Sequence, residues 1–160
     1  MIKPELKRLS WRNPLHWLAT GFGSGLAPVA PGTFGTLAAA LCYYLISGWP
    51  LWAYLGLLLV GSVAGIWICQ SATDAIGQED HGGIVWDEFM GFGITMIAAP
   101  AGWPWLLVGF LLFRLFDILK PWPIGWLDRR VKGGLGIMVD DLLAGAMAWV
   151  ILQGLAWILQ

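Results

Sequence analysis

Long apolar stretches alternate with short polar segments along this chain. A helix needs roughly 20 apolar residues to cross the hydrocarbon core of a bilayer unaided. The pattern predicts five membrane-embedded helices, at residues 36–47, 51–70, 86–99, 105–119 and 139–159. The first, third and fourth are too short for a full crossing, so we expect their polar ends to lie below the lipid headgroups in a protein-lined pocket.

The segment before the first span indicates two different structures. Asn13 followed by Pro14 is typical of a helix start, because Asn caps free backbone N–H groups and proline suits the first helical position. This predicts a short interfacial helix that ends near Thr20. Residues 21–35 are rich in Gly and Pro and favour an irregular loop.

Two further segments, residues 71–85 and 120–138, are predicted to be polar loops, the first acidic and the second basic. The predicted fold is therefore all-α. It is a polytopic helical membrane protein with about five embedded helices and a short amino-terminal interfacial helix, and it forms one integral-membrane domain over residues 1–160.

Composition supports this fold class. The chain is 58% hydrophobic and only 12% charged, with a mean hydropathy of +0.71, which lies outside the range of soluble domains. The net charge is −1, and no basic stripe is interleaved with aromatic residues, so we expect no nucleic-acid partner. The sequence leaves the oligomeric state open.

Basic residues fall in two groups, with none between residues 13 and 113. They are Lys3, Lys7, Arg8 and Arg12, then Arg114, Lys120, Arg129, Arg130 and Lys132. Cytoplasmic segments of membrane proteins carry an excess of Lys and Arg. The amino terminus and the loop after residue 116 are therefore predicted to face the cytoplasm.

Carboxylates mark the ends of three predicted spans. The pair Asp87 and Glu88 opens the third, Asp117 closes the fourth, and the pair Asp140 and Asp141 opens the fifth. Because consecutive spans run in opposite directions, these ends meet at one face of the bilayer. A charge at the centre of a membrane helix costs about 2.5–3.5 kcal/mol on insertion scales, so such residues are usually paired, metal-bound or functional.

Oxygen ligands of this kind suit Mg²⁺, which usually keeps waters and meets a substrate phosphate. We take all five acids as candidate metal ligands and catalytic residues. The alternative is helix capping, since Asp and Glu are favoured in first turns. Acids at two helix starts together with Asp117 favour the metal site.

Phosphate-binding groups are predicted at the same face. Arg114, Asp117 and Lys120 share one helix face, and guanidinium is suited to bidentate phosphate contacts. An ion pair of Arg114 with Asp117 inside the helix is the alternative, and both can hold at once.

The turn from Gly32 and Thr33 to Thr36 offers backbone N–H groups and two hydroxyls, as a phosphate cradle does. A loop that only breaks helices is equally compatible with its composition. His81 is a candidate proton donor to a leaving group, with a solvated loop histidine as the alternative.

Four ordered motifs resemble the phosphatidylglycerophosphatase A family. They are GSG at 23–25 with PGTFG at 31–35, IVWDE at 84–88, FRLFD at 113–117 followed by KPWPI at 120–124, and GGLGIM at 133–138 with the aspartates at 140–141. The resemblance implies a Mg²⁺-dependent phosphatase of the bacterial inner membrane. Such an enzyme removes the terminal phosphate of phosphatidylglycerophosphate to give phosphatidylglycerol, a step of phospholipid biosynthesis.

The rival class is a small membrane cation transporter or channel subunit, since membrane carboxylates also mark ion paths. Against it, the acids lie at one face instead of the midplane, and the two halves contain no repeated broken helices. Signatures of other phosphatase chemistries, such as Cys-x5-Arg or Asp-x-Asp, do not occur. Metal-assisted hydrolysis is the expected chemistry, with either a water or an Asp as nucleophile and an undetermined number of metal ions.

Overall fold

Seven α-helices carry most of residues 3–159, the part of the chain that the computed structural model describes. They are α1 (Pro14–Ala19), α2 (Pro31–Ile46), α3 (Leu51–Ile76), α4 (Trp86–Thr95), α5 (Trp103–Leu119), α6 (Ile124–Arg130) and α7 (Gly133–Leu159). Short 3-10 helices at Pro4–Arg8 and Ser24–Leu26 lie on either side of α1. The described residues contain no strand, so the all-α prediction is confirmed.

Helix α1 begins as predicted. The side-chain oxygen of Asn13 accepts a hydrogen bond from the backbone N–H of Leu15 at 3.0 Å. Helix α2, however, begins at Pro31, inside the segment predicted to be irregular. Ala30 has a left-handed conformation that turns the chain into the helix, and Pro31 is tolerated because the first N–H of a helix has no partner.

Helices α3 and α7 are longer than predicted at the end where they meet. Helix α3 continues through Asp74 to Ile76, whose carbonyl accepts a hydrogen bond from Arg8 at 2.9 Å. Helix α7 begins at Gly133 instead of residue 139. The backbone N–H of Gly134 donates to the side chain of Gln70 at 2.8 Å, and a Cβ on Gly134 would collide with the Ile66 carbonyl. These glycines let α7 lie directly against α3, which local pattern alone does not indicate.

The extended start of α7 corrects the placement of two acids. Asp140 and Asp141 lie two turns inside the helix instead of at its beginning. They therefore do not cap α7, and the capping alternative is wrong for this pair. Asp87 and Glu88 do lie in the first turn of α4.

Helix α4 lies at the centre of the bundle, where it packs against α2, α3, α5 and α7. A methyl group on Gly91 would lie 2.5 Å from the Asp141 carbonyl oxygen, and one on Gly145 would collide with the Gly91 carbonyl. The hydroxyl of Thr95 lies 3.1 Å from the Gly91 carbonyl oxygen and 3.3 Å from that of Gly145. Small residues of this kind let helix backbones approach closely in membrane proteins.

In the described chain two helices, α3 and α7, are long and apolar enough to cross a membrane, whereas the apolar helix α2 is shorter. The prediction of about five embedded helices is thus not confirmed beyond these two. Helix α4 ends at Thr95, well before the predicted residue 99, and α5 begins at Trp103.

The outer surface is nevertheless strongly apolar. Exposed large side chains include Leu41, Leu45, Leu59, Val60, Trp67, Leu111, Val150 and Trp157. Soluble monomers rarely expose large apolar patches. Together with the two long apolar helices, this surface is consistent with a membrane protein.

The contact of α4 with α7 can be tested at Gly145. Gly145→Leu should destabilise the protein by about 1–3 kcal/mol or more, because the added side chain forces two backbones apart. Gly154→Leu is the matched control, since no heavy atom lies within 4 Å of a Cβ there. The measurement is the Tm of each variant in detergent, and equal Tm values for the two variants would refute the close contact.

Candidate active site

A pocket of about 310 Å³ opens where the starts of α2 and α4, the end of α5 and the interior of α7 meet. Most of its lining residues are charged, and the others are small or apolar. They are Ala30, Pro31, Gly32, Asp80, Gly82, Ile84, Asp87, Glu88, Arg114, Asp117, Lys120, Ile137, Asp140 and Asp141. All five carboxylates singled out in the sequence therefore line one pocket. Arg114, Lys120 and Gly32 line it with them.

Four of these acids, Asp87, Glu88, Asp140 and Asp141, are between 4% and 7% exposed. One oxygen in each of the three aspartates is buried and has no hydrogen-bond partner: Oδ1 of Asp87, Oδ1 of Asp140 and Oδ2 of Asp141. Burying an unpaired carboxylate is costly. Unpartnered carboxylate oxygens are also the atoms that a hard divalent cation binds, so the donor set fits Mg²⁺.

The described residues contain no group of three or more His, Cys, Asp or Glu side chains already arranged to hold a metal ion. This is compatible with Mg²⁺, which is usually bound through one or two carboxylates and completes its shell with waters and substrate oxygens.

Arg114 is the main countercharge at the α5 side of the pocket. Its guanidinium donates to Asp117 one turn further along α5 and lies 3.5 Å from Oε1 of Glu88. The ion pair within the helix, considered as an alternative above, is thus present. Arg114 also lines the pocket and has a buried Nε without a partner, so the pairing does not use all its donors.

The start of α2 is built around Glu88. Thr36 is fully buried, and its hydroxyl lies 2.9 Å from Oε2 of Glu88 and 3.0 Å from the Gly32 carbonyl oxygen, so it can donate to only one of them at a time. A Cβ on Gly35 would lie 2.7 Å from Oε2 of Glu88, and one on Gly32 would collide with Oε1. Of the predicted cradle, Gly32 lines the pocket, whereas neither Thr33 nor Thr36 does.

Lys120 follows the last residue of α5 and is half-buried. Its ammonium lies 3.1 Å from Oδ2 of Asp140, 3.0 Å from Oδ1 of Asp128 and 3.9 Å from Oδ2 of Asp80. Burial opposes the charge of Lys120, but the hydrogen bonds to Asp128 and Asp140 outweigh it and raise its pKa above the ordinary value. It therefore stays an ammonium at neutral pH.

Sequence reasoning missed Asp80 and Asp128. Asp80 lies in the acidic loop beside His81 and lines the pocket. Asp128 stands in α6, a helix that was predicted to be part of a basic loop. The sequence signal for Asp128 was its position as a single acid immediately before Arg129 and Arg130, eight residues after Lys120.

His81 is 5% exposed, so the solvated alternative is wrong. It does not line the pocket, although its neighbours Asp80 and Gly82 do. Its Nδ1 accepts a hydrogen bond from the Gly83 N–H at 3.0 Å. Burial, followed by the charge of Lys3, lowers its pKa below the ordinary value, so it is neutral at pH 7.

The family model described as Phosphatidylglycerophosphatase A matches residues 17–156. The chain belongs to this family. It is 48% identical over 142 residues to Phosphatidylglycerophosphatase A of Escherichia coli, an alignment that covers 88% of this chain and 83% of that protein. It is 45% identical over 148 residues to the protein of the same name in Haemophilus influenzae, with 91% of each chain covered.

A third relative comes from Bacteroides thetaiotaomicron and bears the provisional name phosphatidylinositol-3-phosphatase. It is 37% identical over 150 residues, which cover 89% of this chain and 93% of that protein. No solved structure matches the chain.

As a member of the phosphatidylglycerophosphatase A family, the chain is a phosphatase enzyme. The motif residues that carried the resemblance supply most of the pocket lining. A transporter or channel is not favoured, because the acids converge at one end of the bundle and are accompanied by Arg114 and Lys120.

The contact of Thr36 with Glu88 can be tested in this phosphatase by two substitutions. Thr36→Val keeps the shape but removes the hydroxyl that supports a buried carboxylate, which should cost about 1–3 kcal/mol of stability and lower phosphatase activity. Thr36→Ser keeps the hydroxyl and should stay close to the unmodified protein in both respects. Thermal unfolding and phosphate release are the measurements, and identical behaviour of the two variants would contradict the assignment.

Proposed function

We propose that this phosphatase hydrolyses phosphatidylglycerophosphate to phosphatidylglycerol and inorganic phosphate in phospholipid biosynthesis, with Mg²⁺ as cofactor. The observation that carries the proposal is the single pocket that joins five carboxylates to Arg114, Lys120 and Gly32 in a chain of this family. The names of the two relatives at 45–48% identity support this phospholipid as substrate.

The cation would take its protein ligands from Asp87, Glu88, Asp117, Asp140 and Asp141. The unpartnered oxygens of Asp87, Asp140 and Asp141 make these three the leading candidates, since Glu88 and Asp117 already bind Arg114. A bound Mg²⁺ would screen the phosphate charge and lower the pKa of a coordinated water. The nucleophile is a water or one of these aspartates.

Arg114, Lys120 and Gly32 would bind the phosphate oxygens. Arg114 supplies a planar fork of donors and Lys120 a second positive charge, both at the pocket. Gly32 is the second residue of α2, and backbone N–H groups in a first turn have no carbonyl partner one turn earlier. Its missing side chain lets Glu88 and Arg114 approach the backbone closely, since an added Cβ would collide with Oε1 of Glu88.

Thr36, Thr33 and His81 are the remaining residues of the predicted site. Thr36 orients Glu88 instead of contacting phosphate, whereas Thr33 stays a candidate phosphate ligand. His81 stays a candidate proton donor to the leaving glycerol oxygen, a role that requires its protonated form. Protonation of the ring would break the hydrogen bond that Nδ1 accepts from the Gly83 N–H.

The charges of the pocket suit an anionic lipid headgroup only when a cation is bound as well. Arg114 faces Glu88 and Asp117, and Lys120 faces Asp128 and Asp140, so the carboxylates outnumber the basic side chains and a divalent cation would offset the excess negative charge. Such prearranged charges need little reorganisation when a phosphoryl group reacts, which is the main source of electrostatic catalysis.

Phosphate release from purified protein and the dispersed diacyl lipid tests the function. Release should require Mg²⁺, and Asp87→Asn, Asp117→Asn and Asp140→Asn should each lower turnover by about 100-fold or more, since each removes charge but keeps size. Asp74→Asn is the matched control, because Asp74 is exposed and its one side-chain hydrogen bond within residues 3–159 is the one it accepts from Gln70.

The substrate is tested by an equal concentration of phosphatidylinositol 3-phosphate, which the Bacteroides relative suggests. Faster hydrolysis of that lipid would overturn the proposed substrate. Full activity of all three Asp→Asn variants would overturn the metal site, whichever lipid is preferred.

The site is further proposed to face the cytoplasm of a bacterial inner membrane, because the basic residues lie in the segments that flank it. Cysteines placed at positions 80 and 125 should resist a membrane-impermeant thiol reagent added to intact cells, whereas one at position 102 should react. Labelling at 80 or 125 but not at 102 would reverse the proposed orientation.

A further inference from the structure

The corner between α5 and α6 places Lys120 in an unusual conformation. Lys120 has φ +42° and ψ +56°, a left-handed geometry that non-glycine residues rarely adopt. Gly125 lies against it, since a Cβ there would be 2.7 Å from the Lys120 carbonyl oxygen. Strained residues persist only where the surrounding structure determines them, and they cluster at functional sites.

The ammonium of Lys120 lies between two helices. Asp140 of α7, whose carboxylate lies 3.1 Å from the ammonium, lines the main pocket, which is the one of about 310 Å³ described above. Asp128 of α6 is the other partner, at 3.0 Å. Asp128 does not line the main pocket; it lines an adjoining one of about 200 Å³, which also contains Asp140. Asp80 is more distant, at 3.9 Å, and its side chain is 65% exposed.

Removing Asp128 would leave Asp140 as the one close partner of Lys120 among the described residues. The flexible lysine stem would then let the ammonium pair with Asp140 alone, which makes its charge less available to a substrate phosphate.

We infer that Asp128 is a positioning residue, which holds the Lys120 ammonium between α6 and α7 so that it meets the substrate phosphate. The inference rests on the proposed lipid phosphatase function. Asp128 would act through Lys120 and would touch neither the phosphate nor the cation. Helix α6, which carries Asp128, would thus contribute to the site.

The test compares Asp128→Asn, Asp128→Glu and the control Asp74→Asn in the purified full chain. Asp128→Asn should raise both KM for phosphatidylglycerophosphate and the inhibition constant of inorganic phosphate by about three- to tenfold, the effect of losing a partly exposed ion pair. The turnover number should fall less than KM rises. Asp128→Glu keeps the carboxylate and should restore most of the affinity, and Asp74→Asn should change neither constant.

A second measurement separates this inference from the proposed function. Inorganic phosphate alone should raise the Tm of the purified protein, and Asp128→Asn should reduce that rise while leaving the Tm without phosphate unchanged. The unmodified protein could hydrolyse no phosphatidylglycerophosphate and still show the rise in Tm with phosphate, its reduction by Asp128→Asn and its recovery in Asp128→Glu. That result would overturn the proposed function but support the positioning role.

Two outcomes would overturn the positioning role. One is an Asp128→Asn variant with unchanged KM and unchanged inhibition by phosphate. The other is a fall in the Tm without phosphate that accompanies the loss of activity and is not rescued by Asp128→Glu, which would make Asp128 a structural residue of the α5–α6 corner.

Discussion

Four carboxylates, those of Asp87, Glu88, Asp140 and Asp141, are almost completely withdrawn from water at one end of an apolar helical bundle. Charges in such a position must be balanced, because desolvating an unpaired carboxylate costs several kcal/mol. Arg114 and Lys120 balance part of this charge from the end of α5. The unpartnered oxygens that are left over are the reason for expecting a cation in the pocket.

The bundle is built to bring these charges together. Helix α4 is short and central, and it carries Asp87 and Glu88 into the interior. The glycine contact of Gly91 with α7 places α4 directly against the backbone of Asp141, so acids from two helices share one layer. On the opposite side, Gly35 and Thr36 of α2 enclose Glu88, one by leaving space and the other by a hydrogen bond. Packing and electrostatics in this protein therefore depend on the same few residues.

Sequence patterns predicted the structure correctly where neighbouring residues along the chain determine it. Asn13 as a helix cap, the start of α4 at Trp86 and the gathering of acids from three helices follow from capping rules, hydropathy and the alternating direction of helices. Such patterns were misleading where glycines form tertiary contacts. Residues 133–138 have the composition of a loop but form the first turns of α7, because Gly134 packs against the Ile66 carbonyl of α3. The ion pair of Lys120 with Asp128 could likewise not be predicted, since Asp128 approaches Lys120 only once α6 has folded back against the end of α5.

Cation binding without any lipid is the most direct test of this account, because it isolates the carboxylate pocket from the chemistry of the substrate. Mn²⁺ can replace Mg²⁺ at oxygen sites, and the free ion is measured by electron paramagnetic resonance with purified protein in detergent. We expect saturable Mn²⁺ binding that Mg²⁺ displaces, that Asp74→Asn leaves intact and that Asp140→Asn weakens by about tenfold or more. Equal binding of Mn²⁺ by the unmodified protein and by folded Asp140→Asn would contradict it.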